Sequence, residues 1–141
     1  MPRLSVWMVR AALLHLGFGF FLGGLILWQK GPGGIPGAWQ WLPVHIHMVL
    51  MGWTVQLAFG VAYWILPRFA QREAEQGRVE QLRGREGLAW ASFVLFNAST
   101  LTALAAPLGW AWALPISGIL AALAGFAFVL HAWPRVKPFM A

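Results

Sequence analysis

The sequence predicts an all-α protein, a four-helix transmembrane bundle of up-and-down topology with both termini cytoplasmic. Three observations predict it. Hydrophobic residues make up 60% of the chain and charged ones 10%, with a mean hydropathy of +0.66, far outside the soluble range. Four windows are long and apolar enough to cross a bilayer, which takes about 20 residues at about 1.5 Å rise each. The basic residues fall almost wholly on one side of those windows. At 141 residues there is room for one domain, 1–141, with no repeat. The absence of cysteine excludes disulfides, thiolate metal sites and iron–sulfur clusters.

The first helix is expected over 4–29, where Arg10 reaches the interface by snorkelling. It is too long and glycine-rich for a removable signal peptide, so the chain reads as mature protein. The second is expected over 42–67, the third over 87–106 and the fourth over 110–133. Between the first two, "KGPGGIPGAWQW" is a Gly/Pro turn region, and "APLGW" closes a tight helical hairpin. The N-terminus, the loop 68–86 and the tail carry every Lys and Arg except Lys30, which places those three segments in the cytoplasm and the protein in the plasma (inner) membrane as a multi-pass protein. The net charge of +6 therefore serves topology, and no nucleic-acid partner is expected. All four glutamates lie in the 68–86 loop, a solvated and helical connector. Tryptophans favour the headgroup level. All ten but Trp53 fall at expected helix ends.

Ionisable residues inside a membrane are costly and mark function or bundle contacts. At about 100° per residue, His45 shares a face with Met48, Gly52, Gln56, Gly60 and Tyr63. His47 is turned about 200° from it, towards the side of Met51 and Thr54. One helix cannot aim both imidazoles at one ion, so a copper or zinc site from His45, His47 and Met48 or Met51 is disfavoured. His15 and His131 are expected about 6 to 8 Å inside the cytoplasmic boundary, on first and fourth helices that can be neighbours. His15 is in line with Gly19 and Gly23, a spacing that permits close approach. Other small residues, Gly17, Gly24, Gly118 and Gly125, are expected to line helix contacts too. An imidazole beside glycine in lipid suits haem, whose iron takes neutral His as axial ligand and whose ring needs an unobstructed slot. Gly52, two turns below His45, leaves such a space. The plainer alternative is that each histidine makes an interhelical hydrogen bond worth about 0.6 to 2 kcal/mol, as in a non-enzymatic assembly or scaffold subunit.

The stretch "HIHMVLMGWTVQLAFGVAYWILPRF" resembles the second transmembrane helix of the haem-copper oxidase subunit I superfamily, especially nitric oxide reductases. There a His is followed by a Gly/Trp-rich segment and then by Gly-x-x-Tyr-aromatic-x-x-Pro. The first helix, "VRAALLHLGFGFFLGGLIL", is similar to the glycine-rich opening helix of that subunit. The likeness covers about residues 8 to 69, and it is closest to small four-helix subunit-I-like proteins; it extends to the haem-containing NnrS family. It implies that His45 is the metal ligand, binding the iron of haem b (protoporphyrin IX iron). His47, Gly52, Gln56, His15 and His131 are further candidate cofactor-binding residues. The copper-site histidines and the later helix with paired haem ligands are missing, so dioxygen reduction to water and proton pumping have no residues to carry them. What the resemblance implies is a membrane haem protein that binds a diatomic gas (NO or O2) or passes electrons to a redox partner; if an enzyme, it is a haem-dependent oxidoreductase with no catalytic residue of its own identified. In the larger relatives twelve helices form three arcs of four. A lone arc is expected to self-associate, as a dimer before a trimer, with the haem at the interface against Gly52 and Gln56. The haem propionates are expected to point to the outer surface, towards Lys30, Gln40, Trp39 and Trp41.

Overall fold

Apolar windows of this length can bury their backbone polarity in lipid only as helices, and helices are what forms. The computed structural model describes residues 1–66 and 84–136. Helix α1 spans Arg3–Trp28. The second span runs Ala38–Ile65 and is composite: a 3-10 turn Ala38–Trp41, helix α2 Leu42–His47, a π-helical segment Met48–Val55 and helix α3 Gln56–Ile65. Helices α4, Glu86–Ala103, and α5, Ala113–Ala132, complete the fold. All four spans are long and apolar enough to cross a membrane, and no strand is present among the described residues. The expected windows therefore match the spans to within a few residues, the largest difference being the 3-10 turn added at the start of the second. The expected connector over 68–86 lies outside the described residues except for its last three; of these, Glu86 opens α4, where a carboxylate favours the positive helix N-terminus.

Buried positions on α1 fall at Met8, Ala12, Gly19, Leu22 and Ile26, and on α4 at Ala89, Ser92, Phe96, Ser99 and Ala103. The α4 set follows alternating steps of three and four, and the α1 set does so apart from one step of seven, the spacing of a helix packed along one seam. The second span behaves differently. Val44, Met48, Gly52, Gln56 and Gly60 are all buried at steps of four. In a regular α-helix each such step overshoots a full turn by about 40°, and the stripe would leave the core within a few turns. The π segment, with its wider i→i+5 turn, takes up that drift. Thr54 reinforces it by donating from Oγ1 to the carbonyl of Val49 at 3.0 Å.

Helix α1 packs along the second span and α4 pairs with α5. The two hairpins meet where Met51, Val55 and Phe59 pack on Phe96, Ala121 and Ala124. Phe59 stacks on Phe128 with ring centroids 3.9 Å apart. The first and fourth spans share the cluster of Leu4, Met8 and Phe128, but His15 of α1 turns to Thr100 of α4. Small residues do mediate the close contacts, but not all the expected ones. A Cβ on Gly19, Gly23, Gly52 or Gly60 would come within 3 Å of a neighbouring span. Gly17, Gly24, Gly118 and Gly125 face open space, with nothing within 4 Å. On α5 the contact is made by Ser117, Ala121 and Ala124, one position round from the glycines.

Ser5 bonds to Gly60, Tyr63 to Glu86, and Arg135 to Leu66. Residues near 5, 63, 86 and 135 therefore share one end of the bundle, the Arg135 end. Lys30, the 3-10 turn and the α4–α5 turn occupy the other, the Lys30 end.

Candidate functional site

Each imidazole is held by a different span. His45 Nδ1 lies 2.7 Å from the carbonyl oxygen of Gly19. A carbonyl only accepts, so Nδ1 carries the proton and Nε2 is left with its lone pair. The ring lies against Gly23, where an added Cβ would stand 2.9 Å from Cε1 and 3.2 Å from Nδ1. One turn-pair deeper the arrangement is reversed: His15 of α1 donates from Nδ1 to the Gly52 carbonyl at 3.2 Å. Its ring fills the notch at Gly52, where a Cβ would meet Cγ at 2.8 Å. Its Nε2 meets Thr100 Oγ1 at 3.0 Å. The two spans are therefore joined by a reciprocal pair of imidazoles, each seated on the other's glycine.

His47 turns the other way, as its angular offset from His45 requires. Its Nε2 sits 2.8 Å from Ser99 Oγ and 3.0 Å from Ser117 Oγ, and Ser99 Oγ donates to the Ser117 carbonyl. His131 does not meet His15. It donates from Nδ1 to the Arg85 carbonyl at 3.1 Å and accepts at Nε2 from Arg135 Nη1 at 3.0 Å. Arg135, expected as a basic residue of the cytoplasmic tail, is 1% exposed. Its Nη2 donates to the carbonyls of Tyr63 and Leu66 at 3.2 and 2.7 Å, which lie at the C-terminal end of α3 where helical carbonyls lack intrahelical partners. Its guanidinium carbon stands 5.6 Å from the centre of the Tyr63 ring.

Two expected placements are corrected by these contacts. The space at Gly52 holds the His15 ring and so has no room for a macrocycle. Gln56 is fully buried, its Nε2 3.4 Å from the Met8 carbonyl and its Oε1 without a partner; it faces α1 and not a subunit interface. Nor do the six candidate residues form one site. His15, Gly52 and Gln56 line the α1 seam, His47 faces α4 and α5, and His131 belongs to the Arg135 end. No cluster of three or more His or carboxylate side chains able to hold a metal occurs among the described residues.

His45 is the exception. His15 and His131 use both ring nitrogens. His47 leaves Nδ1, and the groove it lines, with Leu42, Pro43, Ile46, Leu50 and Met51, has no glycine. His45 leaves Nε2 and lines a groove of about 460 Å³ that also includes Gly23, Gly24, Phe20, Lys30 and Trp39. Gln29 Oε1 accepts the Trp39 backbone N–H at 2.7 Å, which pins the connector across the groove mouth. Lys30 Nζ lies 5.1 Å from the Trp39 ring centroid, a cation–π distance. Gln40 and Trp41 line a separate apolar cavity of about 620 Å³, with Phe18, Leu22 and Leu104.

No family model matches this chain, and no curated protein or solved structure matches it significantly. The site stands on its own geometry.

Sequence reasoning did not single out Ser99, Thr100, Ser117 and Arg135 as histidine partners. A signal existed for the first three, hydroxyl residues inside apolar helices, whose donors must find partners within the bundle. Arg135 gave none, since the sequence counts it with the basic residues of the cytoplasmic tail.

Proposed function

We propose that this chain is a multi-pass plasma-membrane protein that binds haem b through Nε2 of His45 at the outer end of the second span, with the Arg135 end in the cytoplasm. The observation that carries this reading is the unshared Nε2 of His45 among the described residues, in a groove bordered by glycine. Metal-ligating histidines commonly donate their other N–H to a carbonyl, which sets the tautomer and makes the ligand more basic, and Gly19 supplies that carbonyl here. Gly24 leaves the groove wall free of side chain, while Lys30 and Trp39 at its mouth suit the carboxylates of a porphyrin. Bound there, haem would supply an iron that takes up a diatomic gas or passes an electron.

The other three histidines have another role. Their bonds to Gly52, Thr100, Ser99, Ser117 and Arg85 join the spans, and they favour structural duty for His15, His47 and His131. The resemblance to subunit I of haem-copper oxidases supports His45 as ligand and supports none of the copper chemistry.

The test is the absorption spectrum of the protein purified from cells supplied with haem. A Soret band in the wild type and its loss in His45→Ala, with His47→Ala still coloured, is the expected result. Colourless wild-type protein refutes the reading.

A further inference from the structure

The His45 groove offers half of a haem site. It has one imidazole, and its other lining side chains are apolar apart from Lys30. His15 and His131 have no nitrogen to spare, and His47 is on the far side of the second span. The groove is also open on one side: Phe20 and Leu27 on its wall are 66% and 67% exposed, and Gly24 has nothing within 4 Å of where a Cβ would stand. A macrocycle bound there presents its second face outward, away from the chain that holds it.

We infer that one haem is shared by two copies of the chain, held by His45 of each across a twofold axis. The inference rests on the haem reading above and names the second ligand and the partner. Symmetry supports it. Two copies inserted in the same direction can be related by a twofold only if the axis lies along the membrane normal, which sets the two His45 side chains at equal depth, facing each other. Closed twofold dimers are the commonest assemblies. A haem with its ring plane along that axis matches the symmetry, since it has two equivalent axial positions and two propionates on one edge. The pair of chains brings two imidazoles for the first and two Lys30 side chains, both at the same end, for the second. Close approach of the helices needs small residues at the contact, and Gly24 is the exposed small residue in this groove.

The experiment uses the full chain, haem-loaded, in mild detergent. Native mass and haem content should give one haem per two chains, with a low-spin six-coordinate spectrum that carbon monoxide does not alter promptly. A differently tagged His45→Gly chain co-expressed with the wild type should yield mixed dimers whose haem is five-coordinate and binds carbon monoxide, and added imidazole should restore the low-spin spectrum. Gly24→Leu touches nothing within its own copy and should leave the fold intact while giving monomers that lose six-coordination. A wild-type monomer with one haem per chain and immediate carbon monoxide binding overturns the shared haem and leaves the haem reading standing. So does a dimer in which Gly24→Leu changes neither mass nor spectrum, or low-spin iron that becomes high-spin in Lys30→Gln, which would make the lysine the second ligand. No haem in the wild type removes the haem reading itself.

Discussion

A histidine seated on glycine is a contact without tolerance. The Gly52 position is closed by the His15 ring at 2.8 Å and the Gly23 position by the His45 ring at 2.9 Å, so any Cβ there moves an imidazole. Overpacking of this kind typically costs about 1 to 3 kcal/mol. Gly52→Val should therefore lower the thermal midpoint in detergent, with the His45 groove left intact and the haem colour retained. Gly23→Val should act on the proposed ligand, His45, and bleach the protein at similar cost in stability. Unequal colour with equal destabilisation, measured by melting and by Soret absorbance, separates the two glycines; bleaching by both would show that the seams are not independent. Thr100→Val keeps shape but removes the hydroxyl 3.0 Å from His15 Nε2. An interhelical hydrogen bond in a membrane is worth about 0.6 to 2 kcal/mol, and that is the expected loss. His15, His45 and His47 could be recognised in the sequence as residues needing partners. Their partners could not, because a backbone carbonyl such as Gly19 or Gly52 is the same in every residue and only the crossing of two helices selects it.

At the scale of the element, the face of the second span running from His45 through Gly52, Gln56 and Gly60 to Tyr63 was legible as polar or small, and its buried members do turn inward. Regular α-helical geometry would spread those members over about 120°. The π segment lies among them, and apolar residues such as those of Met48–Val55 carry no composition signal for it. Removing the Thr54 hydroxyl with Thr54→Val should loosen this segment: amide exchange is expected to rise over 48–55 and remain unchanged in α1. At the other end of the same span, Arg135 satisfies two carbonyls and His131 through a planar fork. Lysine has the charge without the fork. Arg135→Lys should thus be destabilised nearly as much as Arg135→Ala, by about 1 to 3 kcal/mol, and a thermal melt of the two variants against the wild type is the check. Full rescue by lysine would mean that charge alone is at work there.

For the whole molecule, four spans, their order and their approximate limits were legible from hydropathy, because lipid leaves a chain few alternatives. Which helices touch was less so. Hairpins joined by short connectors are neighbours by necessity, but the docking of one hairpin on the other depends on side chains at a shared depth, such as Phe59 with Phe128 and His47 with Ser117. The chain's lack of cysteine permits a clean test of topology. Single cysteines at Arg3 and Arg85 should react with a membrane-impermeant thiol reagent only after the inner face is exposed, and one at Lys30 should react in intact cells. Labelling of all three from one side would contradict a bundle that crosses four times.

The seam between the hairpins has a particular make-up. Within the bundle its polar bonds run from His15 to Thr100 and from His47 to Ser99 and Ser117, and at the Arg135 end Tyr63 donates to Glu86 and Arg135 to the carbonyls of Tyr63 and Leu66. Within the first hairpin, the imidazole–glycine pairs are closed without help from the second. The covalent link 67–83 adds proximity to this but supplies none of those bonds. The molecule is therefore built as two insertable halves with a specific recognition code between them. Fragments 1–66 and 84–141, expressed as separate chains with a start codon added to the second, should find each other in the membrane and copurify, and His47→Ala combined with Thr100→Val should weaken the pairing.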